Sequence, residues 1–134
     1  MNDKVYFELV SPEKLLMSTQ ASMVVIPGTE GDFGILAGHT DIISNIRVGI
    51  VDVYADEVID KRVFVSGGVA EVSEDRCTIL ADEAILLEEI DKKTAEGRLS
   101  EAQKILDESK DEAARVTAER QVVIAQSLLD AVTD

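Results

Sequence analysis

One eleven-residue stretch decides how this chain is organised: Gly31-Asp32-Phe33-Gly34-Ile35-Leu36-Ala37-Gly38-His39-Thr40-Asp41. It places three glycines and the protein's one histidine between two apolar runs. Glycine at this density marks turns that need a positive φ, or backbone that another surface approaches closely. The stretch therefore predicts a loop that is either turn geometry alone or a docking surface. In a docking surface, Phe33, Ile35 and Leu36 would be exposed apolar contacts beside the Asp32 carboxylate.

Short strands are predicted around this loop, over residues 4 to about 87. Val5, Phe7 and Leu9 alternate with their neighbours, which is the period-two pattern of a half-buried strand. The same alternation over residues 46–50 predicts another strand, and Met23–Ile26 forms an apolar run that ends at Pro27-Gly28. Further turns are predicted at residues 11–14, 55–57, 67–68 and 73–75. Many short strands at near-regular spacing favour an antiparallel β-sandwich or flattened barrel.

The period changes to that of a helix from about Asp91. Apolar residues then recur every three or four positions, first from Ala95 to Leu106 and again from Ala118 to Val132. Asp91 is a suitable N-cap for the first helix. Ser109 and Glu112 match a capping box, which would start the second helix. The sequence thus predicts an α+β protein in which the sandwich is followed by an antiparallel two-helix hairpin.

The two halves are expected to form separate units, a β-sandwich over residues 1–87 and a helical hairpin over residues 88–134. The first helix offers only Leu99, Ile105 and Leu106 as large apolar side chains. Gly97 weakens it by a further ~1 kcal/mol relative to alanine. A two-helix unit this poor in apolar surface is predicted to be mobile and to depend on docking for stability.

The formal net charge of −14 excludes several classes of function. Such a surface repels nucleic-acid backbones and anionic lipid head groups, so neither is an expected partner. The residues Met1–Lys4 show no export signal, and no run approaches the ~18 apolar residues of a membrane-spanning helix. The composition therefore predicts a soluble, cytoplasmic protein.

The sequence offers little material for catalysis. His39 and Cys77 are the only residues of their types, and two soft ligands are too few for a zinc site. Cys77 lies in an apolar run, which favours a core residue over a reactive thiol. The glycine stretch lacks the lysine of a phosphate-binding loop and the spacing of a dinucleotide fingerprint. No catalytic residue, metal or cofactor is therefore expected.

Two motifs give the chain a family resemblance. The first is Gly31-x-x-Gly34-x-x-x-Gly38-His39, and the second is Ser66–Val72 followed by Thr78–Asp82. Their order and spacing resemble those of the epsilon subunit of F-type ATP synthases, which is called delta in mitochondria. The resemblance implies a non-catalytic subunit of the central stalk in a proton-translocating enzyme. Its partners would be the gamma subunit, the ring of c subunits, and the catalytic alpha and beta subunits.

The resemblance also implies roles for individual residues. The segment Gly31, Asp32, Phe33 and Gly34 would face the c-ring, and Ser11, His39, Ser66 and Glu71 would lie near gamma. The protein would be peripheral, at the cytoplasmic face of the energy-transducing inner membrane, and would meet the membrane only through the c-ring. For His39, a loop histidine that hydrogen-bonds nearby backbone is an equally simple interpretation.

Some members of the family bind ATP through an [IL]-D-x-x-R-A motif at the start of the first helix. Ile90, Asp91 and Ala95 match this motif, but Thr94 stands at the arginine position and offers phosphate no charged donor. Weak or no nucleotide binding is therefore expected. Residues 83–134 carry 13 acidic and 7 basic side chains, a net of −6. The resemblance implies that extended tails use basic residues to engage an acidic surface of the beta subunit. Because the acidic balance here opposes such docking, strong inhibition of ATP hydrolysis by the tail is not expected.

Two other classes of function remain as alternatives. A free-standing β-sandwich module that binds another protein explains the composition equally well, but not the two spaced motifs. A small hydrolase that uses His39 has the least support. Co-purification with gamma and the catalytic head would distinguish the first interpretation from both.

Overall fold

A computed structural model describes residues 4–133 of the chain. The expectation about an export signal rests largely on residues 1–3, which lie outside the described residues. Contacts divide the chain into two compact units, Met1–Leu86 and Leu87–Asp134. The division falls one residue before the boundary expected from the sequence. Whether the second unit moves stays a prediction.

The first unit is built of strands within its described residues. They are β1 (Val5–Val10), β2 (Leu15–Ala21), β3 (Met23–Gly28), β4 (Gly31–Ile35), β5 (Ile42–Ile46), β6 (Gly49–Ala55), β7 (Val58–Val65), β8 (Gly68–Val72), β9 (Arg76–Ala81) and β10 (Ala84–Leu86). They follow the order β10-β7-β6-β3-β5-β8-β9-β1-β2, and β4 pairs with β3. The pairs are antiparallel except β1 with β9, which run parallel. The predicted β-sandwich is confirmed, with this one departure from antiparallel order.

Strand β3 joins the two parts of the sheet, because it pairs with different strands along its length. Its first half, Met23–Val25, pairs with β6, whereas Gly28 at its end pairs with Ile46 of β5. At the far end of the order, β2 comes back into contact with β6. The enclosed core is aliphatic, and Val5, Phe7 and Leu9 of β1 are fully buried as their alternation predicted.

The turns of the sandwich collect at two ends, as the strand registers show. Gly28 pairs with Gly31 of β4 and with Ile46 of β5. Gly68 of β8 pairs with both Ile46 and Ala81. We call this the tip end, and its turns lie at residues 11–14, 29–30, 47–48, 66–67 and 82–83. The opposite, loop end carries residues 36–41, 56–57 and 73–75.

The second unit contains a 3₁₀ turn at Leu87–Glu89 and two helices, α1 (Lys92–Glu108) and α2 (Glu112–Thr133). The helices pack on each other as the predicted hairpin. Asp91 caps α1 as expected, because its carboxylate accepts a hydrogen bond of 2.8 Å from the Thr94 amide.

The start of α2 differs from the prediction. Its N-cap is Asp111, which accepts a hydrogen bond of 2.8 Å from the Ala114 amide. Ser109 instead ends α1, where its hydroxyl donates to the Ile105 carbonyl. The capping-box interpretation was wrong because an aspartate two positions later competes for the same role, and both residue types cap well.

Three strand predictions also need correction. The glycine stretch is a strand, β4, over its first five residues, and only residues 36–41 form a loop. Pro27 and Gly28 are the last residues of β3 rather than a turn, because they pair with Asp32 and Gly31 of β4, and the turn follows at residues 29–30. Residues 46–50 belong to the end of β5 and the start of β6 rather than to one strand, and β2 and β10 were missed.

Candidate functional site

The β3–β4 hairpin forms the tip that the sequence marked for docking. Gly31 has φ of 129°, a conformation that side chains rarely adopt. A Cβ on Gly28 would lie 2.7 Å from the Phe33 ring and 2.8 Å from the Gly31 carbonyl oxygen. Both glycines are therefore required by the tight return of the chain, and the ring of Phe33 packs directly over Gly28.

The side chains of this hairpin differ in exposure from the docking prediction. Ile35 is fully buried and Phe33 is half-buried against the core, so neither is a freely exposed apolar contact. Leu36 is 56% exposed, as expected, but it lies beyond the strand at the loop end. The prediction failed for Ile35 because the segment is a strand, in which alternate side chains point inward.

Arg47, in the β5–β6 turn, connects to the tip at three points. Its backbone amide donates to the Pro27 carbonyl at 2.9 Å. Its guanidinium donates to the Gly28 carbonyl at 2.6 Å and to the Asp32 carboxylate at 2.5 Å. Sequence reasoning did not single out Arg47, because nothing local indicates that residue 47 faces residues 28 and 32.

The four residues assigned to the gamma side do not lie together. Ser11 and Ser66 are both buried and belong to turns at the tip end. The Ser11 amide donates to Lys14 O, and the Ser66 amide donates to Glu83 O. These serines therefore share an end of the sandwich with Gly31, which the sequence assigned to the other partner.

His39 lies in the loop at the opposite end. Its Nδ1 is 2.6 Å from the carbonyl oxygen of Thr40, so the ring hydrogen-bonds adjacent backbone. The neighbouring Gly38 has φ of 87°, and its amide donates to the Glu74 carbonyl at 2.6 Å. These contacts confirm the backbone-bonded interpretation of His39, while contact with a partner stays a prediction.

Glu71 lies on the outer face of β8, beside a surface cleft of about 520 Å³. Ile43 borders this cleft and is 77% exposed. The cleft is lined by Asp41, Ile42, Ile43, Glu71, Val72, Ser73, Arg76 and Thr78. Sequence reasoning missed Ile43 because it follows Ile42 directly, and two adjacent apolar residues do not reveal which one faces outward.

The residues of the partial nucleotide motif have structural roles. Ala95 is fully buried and Ile90 is half-buried. The pKa of Asp91 is lowered because its carboxylate accepts the hydrogen bond from the Thr94 backbone amide. Since that carboxylate already serves the helix terminus, Asp91 is explained without a nucleotide.

The remaining chemistry of the described residues is sparse. Burial raises the pKa of the Cys77 thiol to about 12, which makes it a poor nucleophile. Over residues 4–133, no group of three or more His, Cys, Asp and Glu side chains is placed to hold a metal ion. Neither helix in this range has the length and apolar character needed to cross a membrane.

The fold defines a class of small proteins in which a β-sandwich is followed by a helical hairpin. The family model described as ATP synthase, Delta/Epsilon chain, beta-sandwich domain matches residues 4–87. The ATP synthase epsilon chain of Paramagnetospirillum magneticum is 44% identical over 132 residues, which cover 98% of this chain and 99% of that relative. The chain belongs to the ATP synthase delta/epsilon family.

Further similar proteins cover nearly the whole length of this chain. The ATP synthase epsilon chain of Rhodospirillum rubrum is 44% identical over 98% of both chains. A chain in the Euglena gracilis mitochondrial ATP synthase OSCP/F1/c-ring assembly superimposes with a TM-score of 0.81 at 28% identity, covering 98% of this chain and 82% of that one. A chain of the Tetrahymena thermophila central stalk and c-ring has the same fold, with a TM-score of 0.67 at 15% identity and 96% of each chain covered.

Proposed function

We propose that this chain is the epsilon subunit of a proton-translocating F-type ATP synthase, in which it couples the gamma subunit to the c-ring. The observation that carries the proposal is 44% identity to ATP synthase epsilon chains over nearly the full length of both proteins. The relatives extend through the helical hairpin as well as the sandwich. A free-standing module with an unrelated partner would not be expected to retain both.

The strand registers constrain how two partners would share the sandwich. The c-ring would meet the tip end through Gly31, Asp32, Phe33 and Gly34. A gamma contact that included Ser11, Ser66, Glu71 and His39 would have to run along the side of the sandwich, because these residues span both ends. The exposed Ile43 beside Glu71 would lie on the same side and provide apolar contact area.

The protein would perform no bond-making of its own. Its one cysteine is buried with a raised pKa, and its one histidine bonds adjacent backbone. The catalytic alpha and beta subunits would supply the chemistry. The chain would sit at the cytoplasmic face of the inner membrane and reach the membrane only through the c-ring, since its net charge of −14 opposes direct contact with anionic lipid.

Affinity purification from native membranes tests this proposal. The tagged full-length chain should recover gamma, c, alpha and beta subunits. Recovery of a different protein without gamma would contradict it.

A matched pair of variants locates the c-ring contact. Glu30→Arg and Glu57→Arg each reverse one exposed turn charge, at the tip end and the loop end respectively. Only Glu30→Arg should reduce recovery of the c-ring, because it alone changes the charge beside the proposed contact. Equal losses in both variants would argue against the tip as the contact.

Nucleotide binding is proposed to be weak or absent. Thr94 replaces the arginine of the family motif, and Asp91 is engaged as the α1 cap. Titration of the full chain with ATP should show no saturation in the micromolar range. A sub-millimolar Kd would contradict this.

A further inference from the structure

We infer that Arg47 is the positioning residue that holds the tip of the β3–β4 hairpin in the geometry needed to dock on the c-ring. The inference rests on the proposed function for the docking step. It concerns a residue in a different turn from the docking segment.

The β3–β4 tip and the β5–β6 turn are fastened to each other at several points. The Thr29 amide donates to the Asn45 carbonyl at 3.2 Å, and the Arg47 amide donates to the Pro27 carbonyl at 2.9 Å. A Cβ on Gly49 would lie 2.9 Å from Pro27, so the two backbones approach closely. These backbone contacts align the turns, but they reach only the β3 side of the tip.

The Arg47 guanidinium extends the connection across the tip. One nitrogen, Nη1, donates to Gly28 O at 2.6 Å on the β3 side, and Nη2 donates to the Asp32 carboxylate at 2.5 Å on the β4 side. Arginine suits this arrangement because its planar fork presents two donors in fixed directions. The side chain thereby bridges Gly28 and Asp32, which flank residues 29–31, and fixes the separation between them.

This connection contributes more to local geometry than to global stability. The side chains of Arg47 and Asp32 are 44% and 61% exposed, and ion pairs between such groups contribute little to unfolding free energy. Gly31, next to Asp32, has φ of 129°, and without a Cβ its backbone can also adopt other conformations at low steric cost. Loss of Arg47 should therefore loosen residues 29–32 while the sandwich stays folded.

The test compares Arg47→Ala with Arg62→Ala in the full-length chain. Arg62 donates to Asp52 at 2.8 Å on the outer face of the β6–β7 hairpin, where the two side chains are 46% and 19% exposed, so its removal deletes a surface ion pair without touching the tip. Amide hydrogen exchange over residues 29–35 and affinity for detergent-solubilised rotor, made of gamma and c-ring, are measured for each variant. Thermal unfolding of each variant reports global stability.

Arg47→Ala should speed exchange at the tip and raise the Kd for the rotor, each by roughly two- to tenfold, which is the range expected for loss of the two exposed hydrogen bonds that the guanidinium makes. Arg62→Ala should change neither. Arg47→Lys should be intermediate, because an ammonium group keeps the charge but not the two-pronged geometry.

Two results would overturn the inference. One is unchanged exchange over residues 29–35 in Arg47→Ala, which would show that the side chain does not fix the tip. The other is faster exchange with unchanged rotor affinity, which would show that the fixed geometry is not what the partner needs. Failure of the wild-type chain to bind the rotor would instead refute the proposed function, and with it the docking role of Arg47.

Discussion

At the scale of single residues, the structure separates glycines that the fold requires from one that it does not. Gly68 has φ of 145°, and a Cβ there would collide with the Leu80 carbonyl oxygen and lie 2.9 Å from the Ala81 Cα. Gly97, inside α1, has open space around the Cβ position. The sequence placed Gly68 in a turn and Gly97 in a helix, but only the structure shows that a side chain is excluded at the first position and has room at the second.

These two glycines make a matched pair of alanine substitutions. Gly68→Ala should destabilise the sandwich by roughly 2–4 kcal/mol, because it combines a strained φ with a backbone clash. Gly97→Ala should stabilise the hairpin by about 0.5–1 kcal/mol through its higher helix propensity. Urea unfolding checks both, with tyrosine fluorescence reporting the sandwich and helical circular dichroism reporting the hairpin. Equal effects in the two variants would contradict this account.

The Cys77 thiol should be unreactive toward thiol reagents in the folded protein. Burial raises its pKa from 9.0 to about 12, so the folded state keeps the thiol protonated at pH values where the unfolded state ionises. Stability is therefore intact below pH 9.0 and falls between pH 9.0 and about 12, by at most ~1.4 kcal/mol per pH unit from this group. Thiol reagents at neutral pH should label the protein only after unfolding.

The control for this alkaline effect is Cys77→Ala. Its unfolding free energy should fall less steeply above pH 9.0 than that of the wild type, because the other titrating groups remain. Identical slopes, or rapid labelling of the native protein, would show that Cys77 is accessible.

At the scale of elements, the periodicity of both helices was predicted correctly, but the start of α2 was not. Ala95, Ala102, Ala118 and Ala125 are buried, as their spacing predicted. Ile124 and Leu128 are also buried and widen the apolar face of α2. The α2 start was misplaced because Ser109 and Asp111 are both good caps, and the choice depends on where α1 ends.

Alanine substitutions at Asp111 and Ser109 distinguish the two candidate caps of α2. Asp111→Ala should lower hairpin stability by about 1 kcal/mol, since the Ala114 amide loses its acceptor. Ser109→Ala should cost less, because the Ser109 hydroxyl donates to a carbonyl within α1 and caps no free amide of α2. Thermal unfolding followed by helical circular dichroism distinguishes the two. A larger loss for Ser109→Ala would restore the capping-box interpretation.

At the scale of the whole molecule, the chain consists of two units that differ in composition as well as structure. The sandwich carries the glycine turns and the aliphatic core, whereas the hairpin unit, residues 87–134, carries 12 acidic and 7 basic side chains, a net charge of −5. If the tail acts on the catalytic head, it would have to approach with this acidic balance. Assembly and coupling by the sandwich are therefore expected to dominate.

Removal of residues 88–134 tests this expectation. The truncated chain should still join gamma and the c-ring, and ATP hydrolysis by the assembled enzyme should change by no more than about threefold, because like-charge repulsion disfavours tight docking of the tail. Hydrolysis assays on reconstituted complexes with the full and truncated chains provide the measurement. A many-fold rise in hydrolysis would show that the tail is strongly inhibitory.

The sequence by itself determined the fold class, several of the turns and the family. Val5, Phe7 and Leu9 alternate, Ala95 to Leu106 recur at helical spacing, and the glycine motifs are short enough to be recognised without a structure. These features depend on residues that are close in the chain. Local periodicity and local conformational preference therefore suffice to predict them.

Only the tertiary structure decided which distant residues meet. Strand pairing brought Ser11 and Ser66 to the end that carries Gly31, and it left His39 at the other end. It also placed Arg47 across the tip formed by residues 28–32. An alternating pattern shows which side chains of a strand face the core, but it does not show which distant strand will lie beside it, so these pairings depend on the assembled sheet.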